Sequence, residues 1–223
     1  MWIKSERDKK TVITVFPQTK GFIFDCDGTL ADTMPLHMEA WCETFADYGE
    51  DCPYEFVFKL RGTPVEQIVE LFNQKFGRKI NAKNFAQDKN RRAHEKLKQA
   101  KPIDPVIRIV KKYRGKLPMA VASGGTRQNV ILTLEVIGLS NHFDAVITSD
   151  ENLKPKPAPD IFLEIARRLK VDPRFCQVFE DGDVGLQAAR KAGMVATDVR
   201  PYILEPGLSG SRFRGSRLNN PER

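Results

Sequence analysis

The stretch GFIFDCDGTLADT, residues 21–33, passes from apolar residues to aspartates within a few positions. Its first four residues are typical of a buried strand, and Asp25 and Asp27 come directly after it. In an open parallel sheet, ligands bind beyond the carboxyl ends of the strands, which is where these two acids would lie. A spacing of two puts both side chains on one side of an extended chain, where the carboxylates repel each other. A divalent cation removes that repulsion, and an all-oxygen ligand set favours Mg²⁺.

Two other interpretations of this stretch stay open at this point. Asp-Gly is a frequent turn signal, so the acids could simply be solvated in a loop. A calcium-binding loop also collects carboxylates, but it needs a glycine at its sixth position, and Gly28 would be the fourth. The side chains at the ends of the other predicted strands decide between these interpretations.

Short apolar runs recur along the chain, with helical patterns between them. The predicted strands are 21–24, 117–122, 145–148, 176–179 and 195–199, and the predicted helices between them include 126–137, 158–169 and 184–192. Strands that alternate with helices of about 10 to 15 residues indicate a parallel sheet covered on both faces. The sequence therefore predicts a doubly wound α/β fold.

The alternation is interrupted once, between residues 33 and 101, where no strand is evident. Apolar spacing predicts helices that continue from Pro35 and that cover 64–77 and 82–100. We therefore expect a second, all-α unit inserted after the first strand. The expected division is an α/β core of residues 1–32 and 104–204, a helical cap of residues 33–103, and a flexible tail of residues 205–223.

The net charge of +7 is not by itself a sign of a polyanion partner, because more than half of it lies in residues 1–10 and 205–223. The basic stretch 83–101 contains one aromatic residue, Phe85, and so lacks the stacking platforms of single-strand nucleic-acid sites. We expect no nucleic-acid partner and a solvated helix face instead.

Cysteine spacing and hydropathy limit the cellular setting. Residues 1–20 lack the apolar region of a secretory signal, and no run approaches the about 18 apolar residues of a membrane span. None of the cysteines forms a C-x-x-C pair, which favours reduced thiols over a disulfide framework or a zinc site; they are Cys26, Cys42, Cys52 and Cys176. We expect a cytoplasmic monomer without a membrane partner.

Chemically useful side chains come after three more of the predicted strands. Ser123 and Gly124 precede a predicted helix, and a hydroxyl with backbone amides at a helix N-terminus can hold a phosphate. Lys156 lies in the proline-braced loop KPKPAPD, which could aim one ammonium group at an anion. Glu180 and Asp181 come after the run CQVF. Each pattern alone is weak, but unrelated turns would rarely give acids, a hydroxyl, a lysine and acids in that order.

The four strand ends together resemble the four motifs of the haloacid dehalogenase superfamily of aspartyl phosphotransferases. The matching residues are Asp25-Cys-Asp27-Gly-Thr, Ser123-Gly, Lys156-Pro-Ala-Pro-Asp-Ile-Phe and Glu180-Asp181. The stretches DGTLADT, KPAPDIF and FEDGDVGLQAARKAGM look like the β-phosphoglucomutase-like branch with a helical cap. Within that branch, RGTP and GKLPMAVASG are most similar to the bacterial fructose-1-phosphate phosphatase type of sugar phosphatase.

This resemblance implies a role for each motif residue. Asp25 would attack phosphorus to form an aspartyl phosphate, and Asp27 would protonate the leaving alcohol and then deprotonate water. Ser123, the Gly124 amide and Lys156 would hold the phosphoryl oxygens. Mg²⁺ would be held by the Asp25 side chain, the Asp27 carbonyl and Asp181, with Glu180 beside them. The expected substrate-binding residues are Gly28, Thr33, His37, Gly62, Lys89, Gly124 and Arg127.

The cap decides between hydrolysis of a sugar phosphate and transfer of phosphate within a sugar. The mutase-type cap loop usually reads Gly-x-Ser-Arg, whereas the loop LRGTPVEQ has Pro64 and Val65 at the last two positions. The missing guanidinium weakens the mutase interpretation, although Arg61 or Arg127 could compensate. We therefore expect a Mg²⁺-dependent phosphatase acting on a small sugar phosphate, with a β-phosphoglucomutase-type mutase as the alternative.

Two further classes are disfavoured by the motif residues. A non-catalytic phosphosugar-binding or regulatory protein would not need the intact set of Asp25, Asp27, Lys156 and Asp181. A true dehalogenase has no use for Asp27 as a proton donor. The expected partner is thus a small phosphorylated metabolite.

Overall fold

A computed structural model describes residues 12–203 of the chain. Its five strands form one parallel sheet in the order β3-β2-β1-β4-β5, which confirms the predicted α/β fold. The strands are β1 (Gly21–Phe24), β2 (Met119–Ala122), β3 (Ala145–Ile147), β4 (Cys176–Glu180) and β5 (Val195–Asp198). This order places the first aspartates in the middle of the sheet, between the loops at the ends of β2 and β4.

Burial on both faces explains why β1 is continuously apolar. Phe22 and Phe24 pack into the hydrophobic cluster on one face of the sheet, and Ile23 packs into the cluster on the other. The flanking helices are α5 (Asp104–Tyr113), α6 (Arg127–Val136), α7 (Asp160–Leu169), α8 (Asp183–Lys191) and α9 (Arg200–Ile203). Helices α5 and α6 supply apolar side chains to the Phe22 cluster, and α7 and α8 supply them to the Ile23 cluster.

Five helices lie between β1 and β2, and the first four of them precede residue 103. These four are α1 (Met34–Asp47), α2 (Tyr54–Lys59), α3 (Val65–Phe76) and α4 (Ala82–Leu97). Their apolar faces form a separate cluster that includes Trp41, Phe45, Phe72 and Phe85. We propose that residues 33–103, hereafter the cap, form the inserted unit. The tail 205–223 and residues 1–11 lie outside the described residues.

The two segments that join the cap to the sheet lie side by side. Ala31 forms an antiparallel bridge with Pro102, and the Asp32 amide donates to the Lys101 carbonyl at 2.8 Å. The Ile103 amide donates to the Leu30 carbonyl at 2.9 Å. The entry and exit of the cap are therefore fixed to each other by backbone hydrogen bonds.

Some sequence-based expectations differ from the structure. Cys42 and Cys52 form a disulfide between α1 and the loop before α2, so the expectation of four reduced thiols is wrong for this pair. Their Cα atoms are 4.7 Å apart because the turn after α1 brings the chain back along that helix. Helices α2 and α5 are absent from the sequence-based prediction, because YEFVFK is short and Pro105 lies in the first turn of α5. Within residues 12–203, no helix has the length and apolar character of a bilayer span.

Candidate active site

The loops after the parallel strands bring Asp25, Lys156 and Glu180 together beneath a cavity. Lys156 Nζ donates to Asp25 Oδ1 and to Glu180 Oε2, both at 2.7 Å, and to the Ala122 carbonyl at 3.2 Å. All three charged side chains are buried. Residues that are 131 positions apart along the chain thus form a direct ion pair at the edge of the sheet.

Three buried carboxylates lie next to one another at this edge. Asp25, Glu180 and Asp181 each present an oxygen atom, and these atoms lie within 4.8 Å of one another. Burial and the Glu180 carboxylate raise the pKa of both aspartates, although Lys156 opposes this at Asp25 and Arg61 at Asp181. Clustered, desolvated carboxylate oxygens are the donor set that a hard divalent cation prefers. The residues therefore fit such a cation.

Gly28 lets the first loop pass directly against Asp181. Its φ is +85°, and a Cβ atom there would lie 2.6 Å from Asp181 Oδ2. The Thr29 hydroxyl donates to the other carboxylate oxygen, Oδ1, at 3.0 Å. Gly28 and Thr29 of the DGT turn therefore fix the position of the Asp181 carboxylate.

Asp27 lies in a different environment from Asp25. The Thr33 hydroxyl donates to Asp27 Oδ1 at 2.7 Å, and His37 Nε2 lies 3.0 Å from the same oxygen. Lys89 Nζ lies 3.1 Å from His37 Nδ1. Because an ammonium group can only donate, Nδ1 is the acceptor, so the imidazole proton sits on Nε2 and is donated to Asp27.

These contacts set the protonation of Asp27. Burial alone would raise the pKa of Asp27, but His37, the Thr33 hydroxyl and Lys89 outweigh it and lower the pKa to about 2. Burial lowers the pKa of His37 and brings that of Lys89 to about 8. At neutral pH the arrangement is an ionised Asp27 beside a neutral imidazole.

The structure brings most of the predicted site residues to one cavity between the cap and the sheet. Those that line it are Asp25, Asp27, His37, Gly62, Lys89, Ser123, Gly124, Glu180 and Asp181. Lys156 and Thr33 lie beneath and donate to the lining carboxylates, and Gly28 packs against Asp181. Arg127 is not brought to the cavity: its side chain is exposed and donates to the Val146 carbonyl at 3.3 Å.

Other polar residues of this cavity were not predicted. Asn90 and Asn129 line it from α4 and α6, and the side-chain Nδ2 of Asn129 donates to the main-chain carbonyl of Asn90 at 3.3 Å. Ser149 lines it from the loop after β3. Ser149 could have been predicted, because ligands bind beyond the carboxyl ends of parallel strands and Ser149 follows β3. The two asparagines lie inside helices that carry no motif.

The loop between α2 and α3 reaches the sheet from the cap. Arg61 Nε lies 3.3 Å from Asp181 Oδ2, and its Nη2 donates to the Asp181 carbonyl at 2.9 Å. The carbonyl of the next residue, Gly62, packs against Gly124. A Cβ atom on Gly124 would overlap that carbonyl. The cap therefore touches both the Ser123 loop and the Asp181 loop.

Comparisons with known proteins agree with this geometry. The sequence model of the haloacid dehalogenase-like hydrolase family matches residues 22–199. Fructose-1-phosphate phosphatase YqaB of Escherichia coli is 37% identical over 83% of this chain and 99% of its own length. A phosphorylated carbohydrates phosphatase of Thermotoga maritima is 31% identical over 77% of this chain and 81% of its own length.

A solved structure shares the fold as well as part of the sequence. The β-phosphoglucomutase of Clostridium difficile superposes with a TM-score of 0.71 at 25% identity, covering 81% of this chain and 84% of that one. Since the family's sequence model matches well over half of the residues, the chain belongs to the haloacid dehalogenase-like hydrolase family, as the motifs predicted.

Proposed function

We propose that this chain is a phosphoric monoester hydrolase that removes phosphate from a small sugar phosphate with the help of Mg²⁺. The observation that carries the proposal is the pair of dissimilar aspartates in one cavity: Asp25 is bound to a buried ammonium group, and Asp27 to a neutral imidazole. The Escherichia coli and Thermotoga maritima relatives, both named as phosphatases of phosphorylated sugars, support the reaction and the substrate class.

In the proposed reaction, Asp25 is the nucleophile. Lys156 holds Oδ1, and among residues 12–203 no hydrogen bond is made to Oδ2, which leaves that oxygen to attack phosphorus. The attack forms a bond between Oδ2 and phosphorus, and the bond from phosphorus to the sugar oxygen breaks. Lys156 keeps the carboxylate in place during this step and lies close to the phosphoryl group.

Asp27 moves the protons in both halves of the reaction. In the free protein its pKa of about 2 keeps it ionised. A phosphate dianion bound beside it raises that pKa, so Asp27 enters the first step with a proton that it gives to the leaving sugar oxygen. The carboxylate then takes a proton from the water that attacks phosphorus, and the bond to Asp25 breaks to release inorganic phosphate.

The remaining loops bind the phosphoryl oxygens. Ser123 and the Gly124 amide lie just before α6, whose N-terminus adds a favourable dipole. Asp25, Asp181 and the carbonyl of Asp27 would hold the cation, which when bound would neutralise negative charge on the transferring group.

The cap side of the cavity supports hydrolysis over phosphate transfer within a sugar. Val65 lines the cavity at the position of the mutase-type arginine, and Arg127 lies outside it. Asn90 and Asn129, which also line the cavity from α4 and α6, are neutral and suit sugar hydroxyls. Val65 therefore leaves the position of the mutase-type arginine without a cation, which favours a substrate with one phosphate.

A substrate panel tests the proposal. Hexose, pentose and triose phosphates are incubated with the protein, with Mg²⁺ and with a chelator, and inorganic phosphate is measured. We expect phosphate release from at least one sugar phosphate, loss of that release with chelator, and none with Asp25→Asn. Interconversion of glucose 1- and 6-phosphates without net phosphate release would favour a mutase, and tight binding without turnover would favour a regulatory protein.

A further inference from the structure

Arg61 is a cap residue that contacts Asp181 directly. Its guanidinium donates to Asp181 twice, once to the side chain at 3.3 Å and once to the main-chain carbonyl at 2.9 Å. The two side chains are only 14% and 10% exposed. An ion pair this shielded from water is stronger than a surface pair.

Arg61 contacts Oδ2 of Asp181, the carboxylate oxygen that Thr29 does not contact. Thr29 donates to Asp181 Oδ1, and Arg61 lies against the other carboxylate oxygen, Oδ2, of this cavity-lining residue. The proposed cation site needs that same carboxylate. A divalent cation and a guanidinium at the same carboxylate oxygen repel each other, so close approach of the cation weakens the contact with Arg61.

We propose that Arg61 is a cap-borne placeholder for the divalent cation. Its guanidinium neutralises Asp181 while the cation is absent, and the incoming cation displaces it. The displaced guanidinium then binds the phosphoryl group of the substrate in the same cavity. This inference rests on the proposed cation-dependent phosphatase, and it makes Arg61 a residue that couples cation binding to phosphate binding.

Contacts on the cap side keep the displaced guanidinium near the phosphate site. Arg61 Nη1 donates to the Phe58 carbonyl at 3.0 Å, and the guanidinium carbon lies 4.6 Å from the centre of the Phe58 ring. The neighbouring Gly62 packs against Gly124, which belongs to the proposed phosphate loop. A small movement of the side chain therefore exchanges one anionic partner for another without any movement of the backbone.

Cation affinity is the first test. Mg²⁺ binding to the substrate-free protein is measured by titration calorimetry for wild type, Arg61→Gln and Arg61→Lys. The control is Arg78→Gln, which removes an exposed cap arginine paired with Glu50 at 2.8 Å. We expect Arg61→Gln to bind Mg²⁺ at least about five-fold more tightly than wild type, the lower end of typical coupling between sites. The Mg²⁺ affinity of Arg61→Lys should lie between those of wild type and Arg61→Gln, and the affinity of the control should match that of wild type.

Inorganic phosphate binding is the second test and separates a placeholder from a general charge effect. Affinity is measured with and without saturating Mg²⁺. The placeholder predicts that Arg61→Gln loses phosphate affinity only when Mg²⁺ is present, because without the cation the wild-type guanidinium is already engaged by Asp181. A uniform charge effect predicts equal losses in both conditions, and that result would overturn the inference.

The remaining outcomes distinguish this inference from the function on which it rests. If wild type binds Mg²⁺ and Arg61→Gln binds it equally well or more weakly, the placeholder is wrong and the cation site stands. If wild type binds no divalent cation, both are wrong. Thermal unfolding of each variant shows whether it is folded, and Arg61→Lys provides the same comparison if the glutamine variant is not.

Discussion

Lys156 Nζ lies 2.7 Å from Asp25 Oδ1 at a point where both side chains are almost completely shielded from water. The same ammonium group lies equally close to Glu180. Burial alone would lower the pKa of Lys156, but the two carboxylates outweigh it and raise the pKa above its ordinary value. One permanent positive charge therefore holds the proposed nucleophile in place, and its removal has consequences for both stability and activity.

Replacing Lys156 with Met should destabilise the fold in a pH-dependent way. Removing one partner of a buried ion pair typically costs about 3 to 5 kcal/mol, because an uncompensated charge remains. In the variant, the pKa of Asp25 in the folded state would rise further above its value in the unfolded state. Protonation of Asp25 therefore stabilises the folded variant as the pH falls, and this stabilisation is lost as the pH rises. We expect a smaller loss of unfolding free energy at pH 5 than at pH 7. Urea titrations at both pH values measure this, and an equal loss at both would contradict it.

The loss of rate caused by replacing Asp27 with Asn should depend on the leaving group. The variant cannot protonate a sugar oxygen, whereas an activated aryl oxygen leaves without a proton. We expect kcat for a sugar phosphate to fall by about 100-fold or more, and the first-step rate with p-nitrophenyl phosphate to fall far less. Single-turnover rates for both substrates give the comparison. Equal losses in the two rates would remove Asp27 from the protonation step.

Replacing Lys89 with Met should stabilise the fold and impair the enzyme. The pKa of Lys89 is lowered by burial from 10.5 to about 8, so the charged form is disfavoured in the folded state. Between these two values the unfolded chain binds more protons, and wild-type stability rises with pH. We expect the variant to be more stable than wild type at pH 7, by up to about 3 kcal/mol, with an advantage that shrinks from pH 8 to pH 10.

The same substitution should lower kcat by about ten-fold, because His37 loses the donor that fixes its tautomer. Lys96→Met is the matched control on α4, since Lys96 pairs with Glu39 and Glu43 at the surface. Urea denaturation and steady-state assays on both variants test the prediction. A destabilised Lys89→Met with normal activity would show that the ammonium serves the fold alone.

Replacing Gly28 with Ala should damage the cation site beyond its effect on stability. Both Gly28 and Gly49 have positive φ values, of 85° and 73°, so alanine at either position costs about 1 kcal/mol of backbone strain. A Cβ atom at Gly28 would also meet Asp181, whereas one at Gly49 would have no neighbour within 4 Å among the described residues. We expect only Gly28→Ala to weaken Mg²⁺ binding, measured by calorimetry. Equal cation affinity in the two variants would contradict this.

The strand-end residues could be predicted because they depend on local pattern and simple topology. The buried run before Asp25 identified β1 and the run before Glu180 identified β4, and parallel strands bring such ends to one edge. Lys156 follows β3 at the edge of the sheet, so its approach to both acids was implied by the family resemblance and not by strand order. None of this required knowledge of how the helices pack.

Contacts between the cap and the sheet could not be predicted in the same way. The contact of Lys89 with His37 depends on how α4 packs on α1, and the pair of Arg61 with Asp181 depends on where the cap rests. The outward direction of Arg127 follows from its hydrogen bond to the Val146 carbonyl, which no spacing in the sequence encodes. Sequence pattern locates side chains on elements, and tertiary packing decides which of them meet.

Transient phosphorylation of Asp25 is the measurement that decides the proposed reaction. Asp27→Asn, which should form the acyl phosphate from p-nitrophenyl phosphate but hydrolyse it slowly, is mixed with the substrate and quenched in acid within milliseconds. Peptide mass spectrometry then locates the phosphate. We expect it on Asp25, with none on the Asp25→Asn variant. Phosphate on another residue, or normal phosphate release by Asp25→Asn, would show that the reaction does not pass through this carboxylate.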